Sequence, residues 1–386
     1  MTDFSDDYDA FDTAGVRLTV DLGAIVENWR DLARRSGRAR TAAVLKADAY
    51  GLGTEDVGEA LYLAGARDFF VATAEEGATL RLYAPDARIF VLSGIWPGME
   101  RLFFENDLVP VIASEEQLSF WTAVLADYGD YPCALQVDTG FNRLGLSVDE
   151  ALMLADDVSR PASLAPVLIM SHLACGDDPS HQMNRQQLES FRKVSAAFEG
   201  IESSLAASAG IFLGPEYHFD LTRPGIALYG GEAVRGIANP MRPVATAEAR
   251  IIQTRSAKAG EGVGYGQALQ LTRDSRLAVV AAGYADGYLR SFSSGGVPLR
   301  DALPQGGQGF IAGHRVPVAG RIAMDMTIFD ITDVPEHLVR AGDYIELFGS
   351  NILVDNAARA AGTIGYELLA NMGLRHQRRY MAEEQE

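Results

Sequence analysis

The stretch Thr41-Ala42-Ala43-Val44-Leu45-Lys46-Ala47-Asp48-Ala49-Tyr50-Gly51-Leu52-Gly53 runs from a β-rich segment into a glycine-flanked turn. Val44 and Lys46 lie two residues apart, so while the strand lasts their side chains project to one face, with Lys46 at its carboxyl end. Seven more short β-rich runs follow at 69–72, 89–92, 109–113, 134–137, 167–171, 204–208 and 226–229, the run at 204 being the weakest. Helix-length segments separate them. Eight such runs, in a span near the ~250 residues usual for the architecture, predict a parallel (β/α)8 barrel over residues 15–239, with a doubly wound open sheet as the alternative.

Outside that span the texture changes. Residues 1–14 carry Asp3, Asp6, Asp7, Asp9 and Asp12 and few large apolar groups, the composition of a solvated, disordered tail. Beyond 239, alternating runs at 250–254, 276–280, 316–318 and 344–347 sit among many glycines and predict a smaller, mostly β domain over 240–386. A helix is expected through 357–372, and the basic stretch 375–379 closes the ordered chain. The expected fold class is α/β: a parallel (β/α)8 barrel followed by a smaller, mostly β C-terminal domain.

Composition narrows the partners. The chain has 386 residues, 48% hydrophobic, enough to bury the cores of two domains. A formal net charge of -19 repels nucleic acid and anionic membrane surfaces, which leaves a small molecule or a second copy of the chain as the expected partner. No basic segment leads into an apolar run and no stretch of ~18 apolar residues occurs, so a cytoplasmic location is expected, with no membrane partner. The two cysteines, Cys133 and Cys175, are too few for a disulfide framework and read as free thiols.

In a barrel, the carboxyl end of a strand is the active-site rim, and Lys46 falls there. Desolvating an ammonium lowers its pKa, and a neutral amine is what Schiff-base chemistry needs. A surface lysine just past a strand is the plain alternative. The other runs bring company to the same rim: Arg143 follows the fifth, His172 the sixth, Ser208 ends the seventh, and Arg223-Pro224-Gly225 precedes the eighth. Ser208 and the backbone amides near Gly225 and Ile226 suit a phosphate, which loops after the last two strands commonly hold. A phosphorylated ligand is therefore expected. Cys175, three residues after His172, gathers no further metal ligands, and no metal is expected.

Taken in order, 43–53, Asp138-Thr139-Gly140, Asn142-Arg143-Leu144-Gly145, Arg223-Pro224-Gly225-Ile226, Gly264-Tyr265-Gly266 and Met324-Asp325 resemble the signatures of alanine racemases, barrel-type enzymes dependent on pyridoxal 5'-phosphate. The resemblance extends from about Val16 to Tyr380 and covers both expected domains. It implies a cofactor held on Lys46 as a Schiff base, with Lys46 one of two bases exchanging the proton at Cα of alanine. Tyr265, from the second domain of a partner subunit, would be the other, so a homodimer with shared sites is implied. Val44, Tyr50, Arg143, Ser208, Gly225, Ile226 and Tyr366 would line the cofactor, several of them at its phosphate. Arg223 would face the pyridine nitrogen, and His172 would stack on the ring, bond Arg223 and help supply the positive charge that makes Tyr265 a base. Arg143, Tyr265, Tyr284, Met324 and Asp325 would surround the substrate, and the D-alanine formed would serve peptidoglycan.

Two departures from the family stand out. Seven residues before Arg143 the family often has a lysine modified to a carbamate; here Gln136 lacks the amine, so another neutral or anionic group must position Arg143. Ala207 replaces a common asparagine before Ser208. The competing readings are a broader amino-acid racemase or a decarboxylase of the same fold and, in a different class, a non-catalytic protein that binds the cofactor. Tyr265 with Met324-Asp325 weighs against a decarboxylase, and the matched second domain against a simple carrier.

Overall fold

The computed structural model describes residues 9–157 and 164–382. It divides into two compact units: one runs from Ile25 to Arg242, and the other joins the described residues up to Ala24 to those from Pro243 onward.

In the first unit, parallel strands follow one another around a ring in the order Ala43–Val44, Asp68–Val71, Arg88–Val91, Leu108–Ile112, Tyr131–Asp138, Leu164–Met170 and Glu202–Ser204. Apart from Glu202–Ser204, these strands are mostly apolar and covered on both faces, as a barrel requires; Phe69, Phe70, Val71, Ile89, Phe90 and Val91 are wholly buried. The eighth strand is Leu221–Thr222, paired with Arg40–Thr41, and not the run expected at 226–229. It closes the ring on both sides: the amides of Arg40, Ala42 and Val44 donate to the carbonyls of Asp220, Thr222 and Pro224, while those of Asp220 and Arg223 donate to Ser203 and Ala206. Residues 226–229 are instead a buried turn, in which the amides of Leu228 and Tyr229 donate to Gly225 and Ile226. The chain folds back there too tightly to run alongside a neighbour. Likewise the seventh run stops at Ser204, and Ser208 begins the helix Ser208–Leu213.

The barrel helices start where side-chain oxygens satisfy open amides. Thr73 caps Ala74–Arg81, Ser114 caps Glu115–Tyr128, and Ser147 forms a reciprocal capping box with Glu150.

The second unit is mostly β. Its main sheet runs His314–Pro317, Gln308–Ile311, Tyr344–Phe348, Ala245–Ala257, Val16–Asp21, Gln377–Met381, with Ser275–Val280 and Thr327–Asp330 branching from the long strand. A register shift between Ile251 and Gln253 lets that long strand serve two sets of neighbours. Val16–Asp21, expected at the start of the barrel, belongs here, because its backbone pairs with Ala245–Ala257 on one side and Gln377–Met381 on the other. Ordered structure also begins earlier than expected: Ala10–Thr13 is a helical turn capped by Asp9, with Phe11 buried, while residues 1–8 lie outside the described residues. The helix expected at 357–372 is two, Val354–Ala360 and Gly365–Ala370, parted at Gly362, whose φ of +71° ends the first. The basic stretch forms most of the strand Gln377–Met381.

Candidate active site

Lys46 follows the short strand Ala43–Val44 by two residues and starts a turn of unusual hand. Ala47, Asp48, Ala49 and Tyr50 all take positive φ, between 51° and 57°, followed by Gly51 at 80° and Gly53 at 100°. The strand beneath is pinned from both sides: the Val44 amide donates to Pro224 at 3.0 Å, the Leu45 amide to Phe70 at 2.8 Å, and the Tyr229 hydroxyl to the Val44 carbonyl at 2.9 Å. Tyr229 also packs on Tyr50, ring centroids 4.6 Å apart. The side chain of Lys46 is part-buried, and burial, then Arg143, push its ammonium toward the neutral form, with Glu76 opposing them.

Beside it stand His172 and Arg223. Arg223 is buried, its two terminal nitrogens donating to the Ser171 carbonyl at 2.6 Å and to the Ser204 hydroxyl, with the guanidinium over Phe70. Among the described residues the hydrogen bond expected from His172 to Arg223 is not made; the guanidinium turns two of its donors to Ser171 and Ser204 instead. Burial pulls Arg223 down to about 9, which leaves it charged at neutral pH. His172 is held far below its ordinary value, at about 3, by burial first and then by Arg223, Arg143 and Lys46. A ring in that environment is neutral under ordinary conditions, so the positive charge expected partly from His172 comes from the arginines and not from the imidazole.

Arg143 sits on a loop ordered by Asp138, whose carboxylate accepts from the amides of Gly140 (2.7 Å), Phe141 (2.8 Å) and Arg143 (3.1 Å). An Asx turn of this kind is legible in Asp138-Thr139-Gly140. The guanidinium lies over the Phe141 ring, 4.1 Å from its centroid, and that ring faces His172 at 5.5 Å. The side chain of Gln136, at the position where the resemblance places a modified lysine, makes among the described residues only a long 3.5 Å contact, to the Val137 carbonyl. Stacking on Phe141, together with the Asp138 turn, is what orients Arg143 here.

At the far side of the rim the Ser208 hydroxyl accepts from the amides of Gly225 (2.9 Å) and Ala227 (3.3 Å). A Cβ on Gly225 would lie 2.3 Å from the Tyr50 hydroxyl, so only glycine brings the backbone so close to that oxygen. The Ser208 and Tyr50 hydroxyls, brought together at Gly225, are neutral donors of the kind that suit a phosphate. Lys46, Tyr50, Arg143, His172, Ser208, Arg223, Gly225 and Ile226 are thus gathered in one unit, with Val44 beneath. Ser171 stands beside His172 at the end of the sixth run, whereas Ser204, Tyr229 and Glu76 are not marked as site residues by the sequence; the pattern Thr73-x-x-Glu76 is the one local signal that could have drawn attention to Glu76.

The remaining candidates lie in the β unit. Tyr265 is 71% exposed, on the turn joining Gly262–Val263 to Leu269–Gln270, with Gly264 and Gly266 both at positive φ. The Tyr284 turn is tied to the Met324 segment: the Tyr284 amide donates to Ala323 at 3.1 Å and that of Ala285 to Met324 at 3.0 Å. A Cβ on Gly283 would meet the Met324 carbonyl at 2.3 Å. Arg375 bridges buried Asp286 (2.8 Å) and Asp325 (2.7 Å), locking these two segments together. Tyr284, Met324 and Tyr366 all leave substantial apolar surface exposed.

Comparison with known proteins agrees in both units. The family model for the alanine racemase N-terminal domain matches residues 20–233, and that for the C-terminal domain residues 244–380. A biosynthetic alanine racemase of Agrobacterium fabrum is 70% identical, over 98% of either chain, and an alanine racemase of Rhizobium meliloti 62%, over 96% of this chain and 98% of that one. The crystal structure of the alanine racemase from Bartonella henselae, with covalently bound pyridoxal phosphate, superimposes with a TM-score of 0.88 at 36% identity, covering 95% of this chain and all of that one. A barrel with a lysine just past its first strand, hydroxyls that suit a phosphate near its last, and matches that run through both units together establish that the chain belongs to the alanine racemase family.

Proposed function

We propose that the chain interconverts L- and D-alanine with pyridoxal 5'-phosphate bound at the barrel rim, and that a second copy of the chain completes the site. The observation that carries this reading is Lys46: a part-buried amine driven toward neutrality, at the mouth of a barrel within a chain 70% identical to an alanine racemase. Pyridoxal 5'-phosphate, when bound, supplies the electron sink that makes the Cα proton of an amino acid labile. Lys46 would anchor it covalently, and its Nζ, when free, would take or return the proton on one face of Cα. Tyr50, Ser208, Gly225, Ile226 and Tyr366 hold the phosphate, with Val44 lining the site below Lys46. Arg223, charged at neutral pH, would face the pyridine nitrogen and disfavour a proton there, which would favour return of the proton to Cα. His172, neutral in this environment, would stack on the ring.

Inverting a centre needs proton exchange on both faces, and Tyr265 of the partner subunit serves the second. A phenol with a reference pKa near ~10 acts as a base only beside positive charge, and Arg143 and Arg223 supply it. Arg143 takes the substrate carboxylate; Tyr284, Met324 and Asp325 of the partner subunit wall the pocket, leaving room for a methyl group. The exposed Tyr265, Tyr284 and Met324 support a homodimer, since apolar surface of this kind is commonly covered by a partner. No helix among the described residues is long and apolar enough to cross a membrane, and the net charge of -19 disfavours nucleic acid and anionic lipid. Both support a cytoplasmic enzyme. The Agrobacterium relative is named biosynthetic, which supports supply of D-alanine for peptidoglycan. Loss of optical activity of L-alanine, with and without added pyridoxal 5'-phosphate, tests the reading. No racemisation under either condition overturns it, and equal rates on serine or lysine replace alanine by a broader substrate class.

A further inference from the structure

Four successive non-glycine residues in the left-handed region directly after Lys46 crowd each Cβ against the following carbonyl, and such a turn persists only where its surroundings hold it. Part of the hold is internal: the Asp48 carboxylate accepts from the Thr54 amide at 2.7 Å, and the Asp48 carbonyl from the Gly53 amide at 3.0 Å. The first residue of the turn is held from outside. Glu76 accepts from the Ala47 amide through Oε1 and from the Ala72 amide through Oε2, each at 2.7 Å. One carboxylate thus ties the residue after Lys46 to the carboxyl end of the neighbouring strand. In a capping box the glutamate of Thr73-x-x-Glu76 would fold back onto the Thr73 amide. Thr73 does accept from the Glu76 amide at 3.4 Å, yet the carboxylate turns outward to the rim.

We propose that Glu76 is a positioning residue for Lys46, fixing the left-handed turn that aims the lysine and holding one negative charge among the rim cations. The inference rests on the reading of Lys46 as the anchoring amine. The charged or titratable groups that act with Lys46 are Arg143, His172 and Glu76; Arg143 disfavours its ammonium, neutral His172 adds no charge, and Glu76 alone favours it.

Glu76→Gln in the holoenzyme tests this, because a carboxamide keeps the size but turns an N–H toward one of the two backbone amides. Amide exchange at Ala47 and Ala72 is expected to accelerate by about tenfold or more. The kcat is expected to fall by roughly 10- to 100-fold, with KM within about twofold, since aim and not binding is lost. The acid limb of the kcat profile moves to lower pH, because removing the negative charge favours the neutral amine. Thr73→Ala removes the helix cap and leaves the carboxylate, so it is expected to lower Tm while the acid limb and Ala47 exchange stay in place. Unchanged Ala47 exchange in Glu76→Gln, or an equal limb shift in Thr73→Ala, overturns the proposal. If Glu76→Gln does not fold, Glu76→Asp shortens the reach and keeps the charge: faster Ala47 exchange with an unmoved limb supports it, and unchanged exchange overturns it. Exchange at Ala47 reads the clamp whether or not Lys46 carries the cofactor, whereas peptide mapping after borohydride reduction reads Lys46 alone, so the two failures are distinguishable.

Discussion

The two ends of the barrel treat charge in opposite ways. At the amino ends of the strands, Arg40, Asp68, Arg88 and Glu202 form a closed set. Buried Asp68 accepts from Arg40 at 3.0 Å and Arg88 at 2.6 Å, and Glu202 accepts from Arg40 twice at 2.8 Å and from Arg88 at 2.9 Å. At the carboxyl ends, Lys46, Arg143 and Arg223 gather, and no ion pair joins any of them to a carboxylate among the described residues. Each cation of the floor has its anion in the chain; among the described residues those of the rim have none joined to them by an ion pair. Removing a floor charge should therefore cost stability and spare turnover, and removing a rim charge should do the reverse.

The largest effect is expected at Lys46. Lys46→Ala should lower racemisation by at least ~10⁴-fold, since anchorage and one base are lost together, with Tm within a few degrees of wild type. The wild-type protein should be yellow, and borohydride reduction should leave the cofactor on the peptide containing Lys46; another lysine would break the contrast at its root. Next comes Tyr265. Lys46→Ala and Tyr265→Ala proteins, each nearly dead, should on subunit exchange recover about one quarter of wild-type activity, because half of random dimers are mixed and each mixed dimer has one intact site. No recovery, after tagged subunits prove exchange, would return Tyr265 to its own chain or remove it from the reaction.

The floor should respond differently. Asp68→Ala deprives two arginines of a buried acceptor and should cost about 1–3 kcal/mol in urea unfolding, with kcat per folded enzyme within about twofold. A large kcat loss at unchanged stability would erase the distinction between the ends. Smallest is the effect of bicarbonate. Gln136 has no amine to modify, so intact mass should show no carbamate there and added bicarbonate should leave the rate unchanged.

How far the residues alone disclosed this arrangement depended on how local each signal was. The barrel strands up to Leu164–Met170 are compact apolar runs bounded by turn residues, and they stand where the pattern put them. Leu221–Thr222 has two residues and no alternation to detect, while the apolar run after it mimicked a strand because a buried turn is apolar for the same reason. Val16–Asp21 alternates plainly, but alternation announces a strand without naming its partner, and its partners lie more than two hundred residues away. The rim residues were legible through their succession at strand ends. The hand of the turn after Lys46 was not, since Ala-Asp-Ala-Tyr has no residue that demands positive φ; nor was Glu76, whose local pattern pointed back to its own helix.

The placement of Val16–Asp21 also sets an order of events during synthesis. It is made before every strand of the barrel, yet the strand it pairs with, Ala245–Ala257, is made after the whole barrel. At roughly 5–20 residues per second the first strand waits on the order of ten to fifty seconds for that neighbour, and longer for Gln377–Met381. Throughout that interval it is an unpaired edge, and its alternating charged and hydroxyl side chains, Arg17, Thr19 and Asp21, are what keep a nascent edge soluble. Replacing them with apolar residues would keep the backbone pairing of the finished sheet, give up the Arg17–Glu248 ion pair, and send the growing chain toward aggregation.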